Sequence, residues 1–416
     1  MKIIHTSDWH IGQTLHQYSR EEEHKHFFNQ LKEIILEEKP DALIVSGDIF
    51  HSATPTVISQ RIYYHTLVEL SRLNNDLQII IVAGNHDSPS RLEAPKELWE
   101  AFNVTVIGNL DFYKENDANG LTYDASKIQI AITRNNEIIG WVLAVPFINA
   151  GNYPSLSEED TYSNRVFSFY NNLKDNLKQH SQFKEYHQIV ATGHFMVDGA
   201  DIKGQDKITG GIESACSDNI SSLSDIDYWA FGHIHHPQFV GKHNNMRYSG
   251  SPFALTFNED YAHSVSIVEI ENHNVKISIK EIEPLIPICD FPFKPKSYND
   301  ALCLDTILDK LNDVIDRELY IRLHVKSDVP LSDVLNARII DKFSDKRARY
   351  CGTQIYLPEL NANESNSSIR TLEEFKSISP YELGCSVYKK KNNTEMPEEM
   401  KRMFKDVCDE ILNLSN

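Results

Sequence analysis

The chain has 416 residues, 41% of them hydrophobic and 24% charged, with a formal net charge of −19. That length allows two or three domains, the absence of an apolar run of about 18 residues excludes a transmembrane helix, and the acidic balance excludes a protein that grips nucleic acid by bulk electrostatics, though not one that cuts it. Six scattered cysteines (Cys216, Cys289, Cys303, Cys351, Cys385 and Cys408) form no CxxC pair, so neither a disulfide framework nor a zinc–sulfur site is expected.

The first residues, Met1–Asp8, are too few and too polar for a signal peptide and read as a strand, so a cytoplasmic location is expected. Three short apolar runs, Lys2–Thr6, Asp41–Ser46 and Gln78–Ala83, each end in a polar cluster: Ser7-Asp8-Trp9-His10, Gly47-Asp48 and Gly84-Asn85-His86-Asp87. Between them, Phe27, Leu31, Ile34 and Ile35 share one face of a helix that Pro40 stops, and Tyr63, Leu67 and Leu70 mark a second. The pattern predicts βαβαβ with buried central strands. Further strands are predicted at Trp141–Pro146, at Gln188–Thr192 ending in Gly193-His194, and at Tyr228–Phe231 ending in Gly232-His233-Ile234-His235. Residues 263–282 predict a β-hairpin, because Val275, Ile277 and Ile279 alternate with Lys276, Ser278 and Lys280.

The character changes at Pro284 and Pro287. A helix (Leu304, Ile307, Leu308, Leu311, Ile315), an alternating strand (Leu319, Ile321, Leu323, Val325), a second helix (Leu335, Ile339, Phe343) and a second strand (Cys351–Leu357) predict a small α+β domain. Residues 359–368 are Asn/Ser-rich and read as a linker. The tail closes on an amphipathic helix opened by Pro397, Glu398 and Glu399, with Met400, Met403, Phe404, Val407 and Ile411 as its apolar stripe. The expected divisions are 1–283, 284–358, a linker at 359–370 and a tail at 371–416.

Asp8, His10, Asp48, Asn85, His86, Asp87, His194, His233 and His235 all sit where a predicted strand ends, which is where α/β sheets place their chemistry. Their side chains are oxygen or imidazole donors. Two metal ions roughly 3.5–4 Å apart need about this many donors, with one carboxylate shared. The DxH and HxH spacings fit a strand end turning into a loop, and glycines before Asp48, Asn85, His194 and His233 are expected to let the backbone turn there. A single DxH or HxH carries little information; five such elements in this order point to a dinuclear centre.

The constellation resembles the calcineurin-like metallophosphoesterase superfamily. The longer strings Thr6-Ser7-Asp8-Trp9-His10-Ile11-Gly12, Gly47-Asp48-Ile49-Phe50, Asp227–His235 and Arg247-Tyr248-Ser249-Gly250-Ser251-Pro252 resemble, within it, the nuclease subunits of bacterial SbcCD-type complexes. The resemblance implies a four-layer α/β/β/α sandwich with a smaller α+β domain capping DNA. It implies that Asp8, His10, Asp48 and His235 hold one metal and Asp48, Asn85, His194 and His233 the other, with His86 facing the scissile phosphate. Asp87 is expected to orient His86 by a hydrogen bond. A donor set without sulfur suits Mn²⁺, with Mg²⁺ as the alternative. The implied partners are DNA and an SbcC-type coiled-coil ATPase, within a heterotetramer containing a dimer of this chain.

Of the remaining residues, His5, His24, His26, His51 and His65 are not expected to be ligands. His24 and His26 read as solvated on a charged helix, and His51 could touch substrate. His236 reads as lying behind the ligands or facing substrate. Arg20 and Arg91 could contact DNA phosphates or be ordinary surface charges, and Lys389-Lys390-Lys391 is more simply a solvated run. The last helix could cap the small domain or dock on the ATPase; the preceding linker favours docking, although Gly384 stands where a large apolar residue is expected. Another metallophosphoesterase, acting on phosphoproteins or small molecules, and a scaffold without catalysis are the competing functions. The phosphatase branch grips its monoester with an arginine soon after Gly-Asp, and Ile49-Phe50-His51-Ser52-Ala53 contains none.

Overall fold

The computed structural model describes residues 1–110, 113–114, 121–154, 160–205, 213–328, 333–358, 388, 394, 396–397 and 400–405. The chain divides into two compact units, Met1–Leu357 and Pro358–Asn416.

In the first unit, β1 (Lys2–Thr6), α1 (Glu21–Glu38), β2 (Ala42–Ser46), α2 (Val57–Ser71), β3 (Gln78–Val82) and β4 (Val104–Ile107) form the expected alternation. Next come the hairpin β5 (Gln129–Arg134) and β6 (Glu137–Leu143), then α3 (Tyr162–Lys178), β7 (Gln188–His194), β8 (Tyr228–Gly232), β9 (Gln238–Val240) and β10 (His243–Tyr248). The predicted hairpin is β11 (Ser264–Glu271) with β12 (Asn274–Glu281), turning at Asn272 and His273, both in the left-handed region.

One six-stranded sheet runs β12-β11-β1-β2-β3-β4 and a second runs β9-β10-β8-β7-β6-β5. Alternation decides how they stack. Ile3, Ile44, Ile80 and Val82 point inward and share a core with Val142, Val190 and Tyr228 of the second sheet. Ile4, Leu43, Val45, Ile79 and Ile81 point outward onto Phe27, Leu31, Tyr63 and Leu67 of α1 and α2. The far face of the second sheet is covered by Val166, Phe169 and Tyr170 of α3. The result is the four-layer α/β/β/α sandwich expected from the resemblance.

A third sheet follows, built from β13 (Ile288–Phe291), β14 (Leu302–Cys303), β15 (Tyr320–Lys326) and β16 (Arg349–Tyr356), all parallel to β15, with α4 (Leu304–Lys310) and α5 (Asp333–Phe343). It has its own core of Ile307, Leu311, Ile321, Leu323 and Ile339. A smaller cluster, Leu15, Phe257, Ile286, Tyr320 and Cys351, joins it to the sandwich, so both lie in one compact unit.

In the second unit, a helix covers residues 400–405, with the Lys401 amide donating to the Pro397 carbonyl at 2.9 Å. Met400 and Met403 are exposed. Val407, Ile411, the linker at 359–370, Gly384 and Lys389-Lys390-Lys391 lie outside the described residues. Among the described residues no helix is long and apolar enough to cross a membrane.

Candidate metal centre

The loop after β1 turns at once, with Asp8 and His10 both in the left-handed region at φ 52° and 46°. Trp9, between them, swings the other way. It is fully buried, donates Nε1–H to Thr6 Oγ1 at 3.1 Å and packs edge-on against Phe28. The DxH spacing therefore delivers both donor side chains to one side. Ile234 plays the same part between His233 and His235, fully buried in the hydrophobic core. Asp48 and His233 are left-handed too, at φ 52° and 97°. Such backbone costs about 1–3 kcal/mol per residue, though Asp and His tolerate it better than most. Main-chain bonds hold the first two loops together: Asp8 N–H to Gly47 O, His10 N–H to Asp48 O and Ile11 N–H to Ile49 O, at 2.9–3.0 Å.

Of the four glycines expected to permit sharp turns, only Gly47 has a positive φ, 92°. Gly84 and Gly232 are needed for close approach instead. A Cβ on Gly232 would lie 1.9 Å from the Ser46 carbonyl, and one on Gly84 would lie 2.1 Å from Asp48 Oδ1. Gly232 lets the loops of the two sheets meet, and Gly84 lets two neighbouring loops of the first sheet close on each other.

All seven expected donors converge there. Two groups, Asp8–His10–His235 and Asp8–Asp48–His194, each bring their ligand atoms within 4.8 Å of one another. Asp48 Oδ2 lies 3.6 Å from His10 Nε2 and 3.4 Å from His194 Nε2, so it stands between the two groups. Asn85 Oδ1 is 3.0 Å from His194 Nε2 and 3.1 Å from His233 Nδ1. His194 Nδ1–H donates to the Ser46 carbonyl at 2.8 Å, which turns Nε2 toward the cluster. Asp8 accepts from Ser7 Oγ–H at 2.6 Å and from the His233 amide at 3.1 Å.

The charges here are strongly coupled. Burial raises the Asp8 carboxyl against the pull of His194 and His235. Burial would do the same to Asp48, but His194 and His10 hold it far below the carboxylate range. His194 resists its own burial through Asp48 and Asp8 and is pulled up to about 9, whereas burial beside His194 pushes His233 down to about 3.

The residues fit divalent cations. His10 is buried, and neither of its ring nitrogens has a hydrogen-bond partner among the described residues. A buried polar atom left so costs about 1–3 kcal/mol. A cation at the point where Asp8, His10 and His235 converge would engage one of those nitrogens and neutralise the carboxylates.

At the rim, the His86 amide donates to Asp48 Oδ1 at 2.9 Å, and His86 Nδ1–H donates to the His51 carbonyl at 3.0 Å. The exposed His51 ring stacks beside His86 with centroids 5.9 Å apart. Asp87 does not orient His86. It is buried, and its carboxylate accepts from the amides of Gly84, Ile49 and Phe50 at 2.8–3.1 Å. Asp87 therefore ties the Asp48 loop to the His86 loop. Burial and the nearby Asp48 push it up to about 7 against those three donors.

Two other expectations are corrected. Arg20 is 2% exposed, pairs with Glu23 at 2.7 Å and lies between the rings of Phe253 and Tyr320, so it cannot reach a DNA phosphate. His24 is not solvated: it is 1% exposed, wedged between the carbonyls of Arg20 and Trp9, and burial lowers it to about 4. His236 stacks on Tyr261, with ring centroids 4.2 Å apart. Arg91 is exposed on the short helix Pro89–Glu93 that follows the His86 loop. Arg20→Ala is expected to cost about 3–5 kcal/mol of stability by stranding Glu23, measured by urea unfolding, with DNA affinity of the folded fraction unchanged.

Sequence reasoning missed Glu259. Its side chain is fully buried, and Oε1 lies 3.2 Å from His235 Nδ1. It stands 24 residues beyond His235 in an irregular segment that no periodicity marks.

A family model described as calcineurin-like phosphoesterase matches residues 1–237. The chain is similar to three proteins named as subunits of the nuclease SbcCD. That of Rhodobacter capsulatus is 34% identical over 65% of this chain and 66% of its own length. That of Bacillus subtilis is 26% identical over 98% of both chains. That of Escherichia coli is 28% identical over 67% of this chain and 69% of its own.

Proposed function

Because the chain belongs to the calcineurin-like phosphoesterase family, we propose that it is a metal-dependent DNA nuclease, the cutting subunit of an SbcCD-type complex. The observation that carries this reading is Asp48, one buried carboxylate lying between two donor groups with His86 at their open rim. Asp8, His10, Asp48 and His235 would hold one ion, and Asp48, Asn85, His194 and His233 the other. Imidazole nitrogens and carboxylate oxygens without sulfur suit Mn²⁺, with Mg²⁺ as the alternative. Bound ions supply Lewis acidity and neutralise phosphate charge.

The chain's own groups do the rest. His86 is fixed at its backbone by Asp48 and at its ring by the His51 carbonyl, so its other nitrogen, when the ring carries a second proton, can pass that proton to the leaving oxygen. Asp87 keeps that geometry by joining the two loops. His51 and Arg91 would contact substrate.

DNA rather than a phosphomonoester is supported by the missing arginine after Gly47-Asp48 and by the names of the relatives. The activity is 3′–5′ exonuclease on duplexes and endonuclease on single strands, trimming ends and hairpins in repair, replication and recombination in the cytoplasm. Residues 284–358 cap the DNA. The tail stripe of Met400, Met403, Phe404, Val407 and Ile411 docks on the coiled-coil ATPase, and two copies of this chain join two ATPase subunits. The test is Mn²⁺-dependent cleavage of end-labelled duplex DNA against p-nitrophenyl phosphate. Cleavage of the duplex with little monoester turnover is expected; the reverse preference defeats the proposal.

Ion binding should depend on pH through His194. Its pKa is raised to about 9, so its proton stabilises the metal-free fold fully below the ordinary value of 6.5, and that contribution is lost as pH rises through about 9. Ions need the neutral ring, so their affinity runs the opposite way and climbs with pH toward 9. Calorimetry at pH 7 in two buffers of different ionisation enthalpy is expected to show at least one proton released per chain on ion uptake, since His235 is raised as well.

A further inference from the structure

The segment 251–259 touches the metal centre on one side and the third sheet on the other. On the first side, Glu259 Oε1 faces His235 Nδ1 at 3.2 Å, while Oε2 accepts from Ser251 Oγ–H at 3.2 Å and from the Leu255 amide at 3.1 Å. On the second side, Phe257 is 6% exposed and packs with Leu15, Ile286, Tyr320 and Cys351. The Arg322 guanidinium of β15 lies over the Phe257 ring at 4.7 Å and donates to the Phe257 carbonyl at 3.4 Å. Arg322 is itself fixed by a two-pronged pair with Asp290 of β13, at 2.7 and 3.0 Å. The buried His324 meets the same carboxylate at 2.7 Å.

The geometry points to Glu259 as a positioning residue for His235, and to Arg322 as the group through which the third sheet holds Glu259 in place. A carboxylate on the outer nitrogen of an imidazole fixes its tautomer and its aim; losing such a partner commonly weakens ion binding 10–100-fold. Glu259 sits on a loop with no regular structure of its own, so its aim depends on what clamps that loop. Arg322 clamps it two residues away, by ring stacking and by a carbonyl bond. A planar fork does this, and a lysine ammonium cannot copy it. The third sheet is thereby wired to the centre, and a displacement of β15 is felt at His235.

This inference rests on His235 being a metal ligand, and the test separates the two. Mn²⁺ is titrated into the metal-free full-length chain by calorimetry, and the His235 tautomer is read from its ring ¹⁵N shifts without metal. His235→Ala is expected to abolish binding at one site; unchanged binding would refute the ligand reading itself. Glu259→Ala is expected to weaken one Mn²⁺ by about 10–100-fold and to scramble the tautomer, with Glu259→Gln in between. Arg322→Ala is expected to weaken the same site several-fold, with Arg322→Lys giving no rescue. The double variant Glu259→Ala/Arg322→Ala is expected to be no worse than Glu259→Ala. Wild-type affinity and tautomer in Glu259→Ala, or fully additive losses in the double variant, would overturn the inference even with His235 a ligand. Glu259→Gln and Arg322→Lys keep the decision open to measurement if either alanine variant misfolds.

Discussion

Replacing Asp48 by asparagine is expected to lower hydrolysis by at least about 10³-fold and to leave one ion or none on the chain. The carboxylate lies between the two donor groups, 3.6 Å from His10 and 3.4 Å from His194. It also fixes the His86 amide at 2.9 Å. Asparagine keeps the shape and tolerates the left-handed backbone that Asp48 adopts, so the fold should survive. What is lost is the charge that lets two ions sit side by side. An ion at a phosphoryl centre is worth several kcal/mol of transition-state stabilisation, and about 4 kcal/mol corresponds to 10³ in rate. Metal analysis after dialysis against Mn²⁺, paired with single-turnover cleavage of duplex DNA, checks both halves. Two retained ions with near wild-type cleavage would remove Asp48 from its shared role.

His86→Ala should separate chemistry from metal binding. Its backbone amide still reaches Asp48, and its ring is outside the two groups that contain Asp8. Ion stoichiometry is therefore expected to be unchanged, while cleavage of DNA falls by about 10²–10⁴-fold, the usual range for a positioned general acid. A phosphodiester with a p-nitrophenolate leaving group needs little protonation, so its hydrolysis should fall much less. Equal losses on both substrates would make His86 a binding residue rather than a proton donor. Unchanged DNA cleavage with intact ions would make it neither.

Most of the centre was legible because its signals are local. Each donor follows an apolar run, and a strand that ends in Gly-Asp, Gly-Asn-His-Asp or Gly-His-Ile-His exposes those side chains together whatever lies elsewhere. The left-handed φ of Asp8, His10 and Asp48 was not legible; it comes from loops laced to one another across the sheet. Nor was the true use of Gly84 and Gly232, since the atoms they make room for belong to distant strands. The hairpin at Asn135-Asn136 carried a usable signal: both residues are left-handed, as a tight turn between strands requires, and Asn pairs suit it.

Misreadings arose where a charged residue is buried by tertiary contacts. Arg20 and His24 begin a helix rich in glutamate and look solvated, but Phe253, Tyr320 and two carbonyls enclose them. Asp87 follows His86 directly, which suggested a partner for it; its carboxylate instead turns back to three amides. Glu259 could be found only once segment 251–259 was seen to cross behind His235. In each case the deciding neighbour lies far away in sequence.

The most direct test is titration of metal-stripped protein with Mn²⁺ while duplex DNA cleavage is followed, with and without the coiled-coil ATPase. No cleavage is expected in the stripped protein, with activity rising to a plateau at two ions per chain. Cleavage without metal, a plateau at one ion, or no DNA cleavage at two bound ions under either condition would contradict a two-metal DNA nuclease.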